Sequence, residues 1–265
     1  MRDKSIDSIS GNYNNIAISD SVTVHKDKHL PPPYQLPLLD SYFCGRKNEL
    51  SCLLEHLYPG TIITICGPGG MGKSALAAQA VHILELSRFP DGIVFHSFYH
   101  QPSTDIALQA IAEAFQIEVK ANLESGVRQA LAGKKALLIL DGAEEADDLQ
   151  AVLKLCGSCG VLITSRRRSD AVDARIDLGP LSPAAAVNLL RTWSGSEEKE
   201  TIMQSICAVL GYYPNAIRVA GRYLGTTGES ATEYLRWLEQ EPHSLSTACR
   251  SSASSAPSRM SKAFL

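Results

Sequence analysis

Eight consecutive residues, Gly67-Pro68-Gly69-Gly70-Met71-Gly72-Lys73-Ser74, have the types and the spacing needed to grip a phosphate. Glycine reaches backbone angles closed to other residues, so a glycine-rich loop can turn successive N–H groups toward one anion. A lysine at the end of such a loop reaches β- and γ-phosphates, and the next hydroxyl can take one coordination position on Mg²⁺. The order fits GxxxxGK[ST] completely. An apolar run, residues 62–66, precedes it, and a helix-like segment beginning near Gly72 follows. A helix that starts there adds its positive end to the site. Gly67 to Ser74, with Ala75, are therefore the candidate nucleotide ligands. An ordinary strand-to-helix turn is the weaker reading, because the whole motif stands in the context it requires.

A second group belongs with the first. The apolar run "ALLILD" ends on one carboxylate, Asp141. In an open α/β sheet the C-terminal tips of the strands face the ligand crevice. Asp141 is expected to share Mg²⁺ with Ser74, in part through water. The next apolar run ends "LITSRRR". Arg166 is the candidate there to sense a γ-phosphate, with Arg167 and Arg168 facing solvent. Cys156-Gly-Ser-Cys159 also has a ligand-like spacing, but a structural zinc site needs four ligands and no second pair stands near it. Two small residues in a turn account for it. Seven scattered cysteines in a chain with a sizeable core do not suggest a disulfide framework.

These residues must be positioned by alternating strands and helices. Apolar strands are predicted at 61–66, 92–98, 135–141 and 160–165. Helices are predicted at 46–58, 73–87, 104–116 and 123–132. Runs of Val, Ile and Leu without strict alternation indicate strands covered on both faces, as in a parallel sheet. The fold class is therefore α/β, a doubly wound parallel sheet of the P-loop NTPase kind. The strand at 92–97, between the two motif strands in sequence, suits the class with an extra strand in the sheet. After Pro180 the strands stop. Ser182-Pro183 supplies a cap and a first-turn proline, with Leu181 placed to pack back on Ala186. Helices near 182–194, 198–210, 214–224 and 230–239 make a small all-helical bundle.

The expected organisation is an irregular, weakly strand-like segment with a proline-rich linker at 1–40, the nucleotide-binding part at 41–178, the bundle at 179–242 and a disordered Ser-rich tail at 243–265. Apolar residues make up 45% of 265, ample for a core, and the net charge of −3 gives no support to nucleic-acid binding through bulk charge. No apolar run approaches the roughly 20 residues of a membrane span, and the first residues lack the apolar stretch of a secretory signal. A cytoplasmic location is the expectation.

Several short motifs occur in a fixed order: "YFCGRKNEL", the glycine-rich loop, "LLILD", "LITSR", "LGPLSPAAAVNLL" and "LGYYPNAIRVAG". Over residues 40–242 this order resembles the NB-ARC family of STAND-class signal-transduction ATPases, particularly its bacterial members. The resemblance implies an adenine nucleotide, ATP or ADP, with Mg²⁺. It implies that Phe43, Cys44, Gly45 and Arg46 lie by the adenine and that Arg166 follows the sensor strand. It implies that Pro214 packs on the nucleotide from the bundle, which suits a rigid residue without an N–H. Protein partners, an effector or a sensor, are implied as well. Two departures stand out. Many members carry a second carboxylate after the first, where this chain has Gly142, while Glu144 and Glu145 are expected to open the next helix. Slow hydrolysis at best is the expectation. The family also continues past the bundle into a winged helix, so a truncated or frame-disrupted product is expected here. The reading is a nucleotide-operated regulatory switch. The alternatives are a P-loop enzyme, either a fast ATPase or a small-molecule kinase, and an interaction scaffold with a structural nucleotide.

Overall fold

The computed structural model describes residues 31–99, 101–117 and 122–240. The weak-strand segment before residue 31 and the Ser-rich tail, both given expectations from sequence, lie outside the described residues. The described residues from Pro32 onward belong to one compact unit.

Strands β1 (Ile62–Cys66), β2 (Ile93–Ser97), β3 (Leu137–Asp141), β4 (Gly160–Ser165) and β5 (Ala174–Asp177) form one sheet in the order β2-β3-β4-β1-β5. Every pairing is parallel. Successive side chains point to opposite faces, and both faces are covered. Leu137 and Ile139 enter one core with Ile63, Ile65 and Leu162, under helices α1 (Lys47–His56) and α2 (Lys73–Ile83). Leu138 and Leu140 enter the other with Val94, Val161 and Ile163. That face is covered by α3 (Thr104–Ala114), α4 (Leu123–Leu131) and α5 (Leu149–Leu153). The sheet does contain an extra strand between the two motif strands. It is β4, whereas β2 lies at the edge beyond β3.

β5 is absent from the sequence reading, and the helix expected to open at Glu144 starts later, as α5 at Leu149. β5 reads Ala-Arg-Ile-Asp and is half-covered, so its charged residues conceal it. α5 has five residues, too few for a helical period to show. The helix expected at 73–87 ends at Ile83, where Leu84 turns extended, and a 3-10 turn follows at Leu86–Arg88.

The bundle is α6 (Pro183–Ser194), α7 (Glu200–Val209), α8 (Pro214–Thr227) and α9 (Ala231–Gln240). Its own core includes Leu190, Met203, Ile206, Ile217, Ala220 and Tyr234, and Leu181 and Ala186 are both buried in it. Ser182 caps α6 by accepting from the Ala185 N–H at 3.4 Å, Pro183 occupies the first turn, and Gly195 closes the helix in the left-handed region. Tyr213 packs against both the bundle core and the sheet core under α1 and α2. The proline-rich stretch is docked as well. Tyr34 bridges to Ile93 in parallel, and the Pro37 carbonyl lies 3.0 Å from His82 Nε2.

Candidate functional site

The tips of β1, β4 and β3 place Cys66, Ser165 and Asp141 at one edge of the sheet. The glycine-rich loop leaves β1 at that edge and runs into α2, whose first residue is Lys73. Lys73 is buried, and its Nζ donates to the carbonyls of Gly67 at 3.0 Å and Pro68 at 3.1 Å. Burial lowers its pKa, and Arg166 lowers it further, while Glu144 and Asp141 oppose the shift. Loop carbonyls hold the ammonium in place, and a phosphate could take their positions. Met71 contributes its backbone only, because its side chain is buried in the core under α1 and α2.

Asp141 is buried at the end of β3. Its Oδ1 accepts from Ser74 Oγ and from Thr164 Oγ1, both at 2.6 Å. Thr164 in turn accepts from the Gly142 N–H at 2.9 Å. The two expected Mg²⁺ ligands therefore touch, and Thr164 on β4 holds the carboxylate between them. Among the described residues no group of three His, Cys, Asp or Glu side chains could hold a metal. One carboxylate and one hydroxyl suit Mg²⁺, which keeps most of its water and takes substrate phosphates. The residues present fit that ion. Among the described residues, Cys156 and Cys159 stand in no group of three possible metal ligands. Both are buried, and burial pushes the Cys156 thiol up to about 12 and raises that of Cys159.

Gly142 lies in the left-handed region at φ 73°, and a Cβ there would fall 2.8 Å from the Tyr99 ring. A side chain at this position is therefore excluded twice, by backbone angle and by Tyr99. The turn it makes sends Glu144 back toward the sheet edge. Glu144 does not open a helix, as its sequence suggested, but sits buried in a 3-10 turn, Ala143–Glu145. Its Oε1 accepts from Arg166 Nε at 2.7 Å and from the Tyr99 hydroxyl at 3.1 Å, and its Oε2 accepts from the Arg166 backbone N–H at 3.1 Å. Burial first, then the Glu144 charge, push the Tyr99 pKa up to about 12. Arg166 is half exposed and stands beside the loop: a Cβ built on Gly69 would lie 4.0 Å from its Nε.

The bundle supplies the opposite wall. A cleft of about 230 Å³ is lined by Gly70, Gly72, Lys73, Ser74 and Ala75 on one side and by Leu189, Trp193, Pro214, Asn215 and Arg218 on the other, with Asp40 and Tyr99. The Asn215 N–H donates to the Gly70 carbonyl at 3.2 Å, so α8 touches the loop directly. Arg218 donates to Asn215 Oδ1 at 3.0 Å, and among the described residues it has no carboxylate partner. Gly211 and Tyr212 both lie in the left-handed region, and this tight bend aims the start of α8 at the loop. An aromatic residue held there stores backbone strain.

Of the sequence candidates, Gly70, Gly72, Lys73, Ser74, Ala75 and Pro214 meet on this cleft. Phe43, Cys44, Gly45 and Arg46 lie outside its lining, and Asp40 comes from their segment instead. Phe43 packs on the sheet core, Cys44 Sγ donates to the Ala185 carbonyl at 3.5 Å, and Gly45 abuts Ala185. Arg46 donates to the carbonyls of Met71 and Gly179. Tyr99, Thr164, Asn215 and Arg218 were not found from sequence, and Glu144 was placed at a helix start. Asn215 and Arg218 come together from α8, while Tyr99, Glu144 and Thr164 reach the site from three other parts of the chain.

Comparison with known proteins identifies the family and the fold. The NB-ARC domain model matches residues 46–192. Regulatory protein AfsR of Streptomyces griseus is 28% identical over 214 residues, covering 72% of this chain and 22% of AfsR. The chain thus spans less than a quarter of that relative. A signal-transduction ATPase with numerous domains from Pyrococcus horikoshii, carrying a tetratricopeptide repeat sensor, superposes with a TM-score of 0.52 at 14% identity, over 79% of this chain and 34% of that one. Cdc6p of Pyrobaculum aerophilum superposes at 0.54 with 15% identity, over 81% and 65%. At these identities the two structures speak for the fold alone.

Proposed function

Since the chain belongs to the NB-ARC family, we propose that it is a nucleotide-operated regulatory module. In this reading ATP or ADP, with Mg²⁺, binds in the cleft between the sheet and the bundle and sets how the two are held together. The observation that carries it is the shared lining. The phosphate loop and α8 face the same space and are joined by the Asn215–Gly70 hydrogen bond. A ligand that touches both walls has different contacts when they part, and this differential contact is what lets a ligand shift a conformational equilibrium.

Each residue then has a task. The loop amides and Lys73 hold the phosphates. Ser74 and Asp141 hold Mg²⁺, and Thr164 keeps Asp141 oriented. Pro214, Leu189 and Trp193 offer the apolar surface a base needs, and Arg218 brings a cation from the bundle to the phosphate end. Arg166 reads the γ-phosphate. Gly179–Pro180 is the joint between the moving parts. A sensor or effector protein receives the change, in a regulatory role of the AfsR kind. Turnover is slow, which suits a timer rather than a metabolic enzyme.

Calorimetry with ADP and ATP, with and without Mg²⁺, tests this. Micromolar or tighter binding to the wild type is expected, and Lys73→Ala should lose it while keeping its circular dichroism and melting profile. Trp193 in the cleft wall gives a second signal through its fluorescence. Unchanged affinity in Lys73→Ala would remove the phosphate site as assigned. Turnover above about 1 s⁻¹, ordinary for an enzyme, would favour a P-loop enzyme over a slow switch.

A further inference from the structure

Hydrolysis of a bound nucleotide needs a group that positions the attacking water and receives its proton. Asp141 is not free for this. Its Oδ1 is shared by Ser74 and Thr164, and its place in the proposed site is on the metal. Gly142 has no side chain, and the Tyr99 ring fills the space one would need. The other acidic side chain buried at this edge is Glu144.

We infer that Glu144, three residues beyond the metal carboxylate, is the catalytic base of a slow ATP hydrolysis, delivered to the phosphate loop by the Gly142 turn and positioned by Tyr99 and Arg166. Three observations converge. Glu144 is buried yet polar, and all its described partners belong to the site. Tyr99, which binds its Oε1, also lines the cleft with Lys73 and Ser74. Arg166, which binds both of its oxygens, stands against Gly69 of the loop. Oε1 carries two donors and Oε2 one, the Arg166 backbone N–H, so Oε2 keeps acceptor capacity for a water.

The same contacts explain why turnover is slow. Arg166 Nε pairs with Glu144 Oε1 at 2.7 Å, so the guanidinium stands between the carboxylate and an incoming water. The guanidinium must turn toward the γ-phosphate before the carboxylate can act. Then a water oxygen bonds to the γ-phosphorus and its proton passes to Glu144. The bond from that phosphorus to the bridging oxygen breaks, and the electron pair leaves with ADP. Inorganic phosphate is the second product, and Glu144 returns the proton to solvent.

The inference rests on the nucleotide-binding reading, and the test keeps the two apart. Wild type, Glu144→Gln and Tyr99→Phe are each titrated with ATP by calorimetry. Each is then followed in a single turnover with excess protein, scoring ATP against ADP. Glu144→Gln should bind ATP as tightly as wild type or several-fold more tightly, because a negative charge beside the γ-phosphate is gone. Its cleavage should fall about 10²-fold or more, the scale of a lost general base. Tyr99→Phe keeps the ring over Gly142 and removes only the hydroxyl. Binding should be unchanged and cleavage several-fold slower, so this variant carries the test even if the first fails to fold. A wild type that binds ATP and never cleaves it overturns the inference, as does a folded Glu144→Gln that cleaves at the wild-type rate. A wild type that binds no nucleotide overturns the nucleotide reading, and the inference with it.

Discussion

The Arg46 guanidinium donates to the carbonyl of Gly179 at 2.6 Å. The same NH2 group donates to the Met71 carbonyl at 3.2 Å, and NH1 pairs with Glu49 at 3.0 Å. One side chain thus ties the start of α1, the phosphate loop and the stretch leading from β5 to the bundle. Its side chain is only 6% exposed, although the Gly179 carbonyl it reaches lies at the surface. Arg46→Ala should lower the unfolding free energy by about 1–3 kcal/mol, because the carbonyls of Met71 and Gly179 lose a charged donor. Arg46→Lys should recover little, since an ammonium cannot present the same planar fork. Urea unfolding of the three proteins decides it.

The contact between Gly70 and Asn215 can be separated from backbone strain. Gly70 and Gly72 both have positive φ, 76° and 86°, so alanine is strained at either. A Cβ on Gly70 would fall 2.8 Å from Asn215 Cβ, whereas one on Gly72 meets nothing within 4 Å. Gly70→Ala should therefore destabilise the protein more than Gly72→Ala, by about 1 kcal/mol or more. Thermal unfolding of the pair measures the difference, and equal losses would show that α8 does not press on the loop in solution.

Asp141→Asn preserves the shape of the side chain and an oxygen for Ser74 and Thr164. Stability should change by less than about 1 kcal/mol. Nucleotide affinity should lose its dependence on Mg²⁺, a change of tenfold or more, when titrations with the metal are compared with titrations in a chelator.

His96 gives the pH dependence a definite sign. It is buried on β2, its ring 4.7 Å from that of Phe98, and burial lowers its pKa below 6.5. The unfolded chain therefore takes up this proton before the folded one does. The stability it contributes is present above pH 6.5 and is lost as the pH falls through the lowered folded value. One proton sets a slope of at most about 1.4 kcal/mol per pH unit. His96→Leu should flatten this part of the stability profile between pH 7 and pH 5, measured by urea midpoints.

The glycine-rich loop and Asp141 were legible because the chemistry sits in consecutive residues or at the end of an uninterrupted apolar run. Strands β1 to β4 were legible for the same reason, as burial on both faces leaves Val, Ile and Leu in blocks. β5 was not, because Arg175 and Asp177 face outward from a four-residue strand at the sheet edge. Glu144 was misplaced because two glutamates after a glycine have the composition of a helix start. Only the Tyr99 ring over Gly142 shows why the chain doubles back. Arg218 and Asn215 act on the loop across more than a hundred residues of chain, a separation that no local pattern encodes.

The parallel pairing at Tyr34 has a bearing on how the protein behaves in a crowd. A sheet edge with free N–H and C=O groups invites a strand from another molecule. On the β2 side the groups of Ile93 are already taken, its N–H by the Pro33 carbonyl at 2.7 Å and its carbonyl by the Gln35 N–H at 2.8 Å. The covering stretch contains prolines, which have no N–H to offer outward. On the far side β5 is short, and Arg175 is paired with Asp177 on its exposed face at 3.1 Å. At Ile93 and along β5, the two margins of the sheet thus offer little to a stranger's backbone, which disfavours amyloid-like growth from either side.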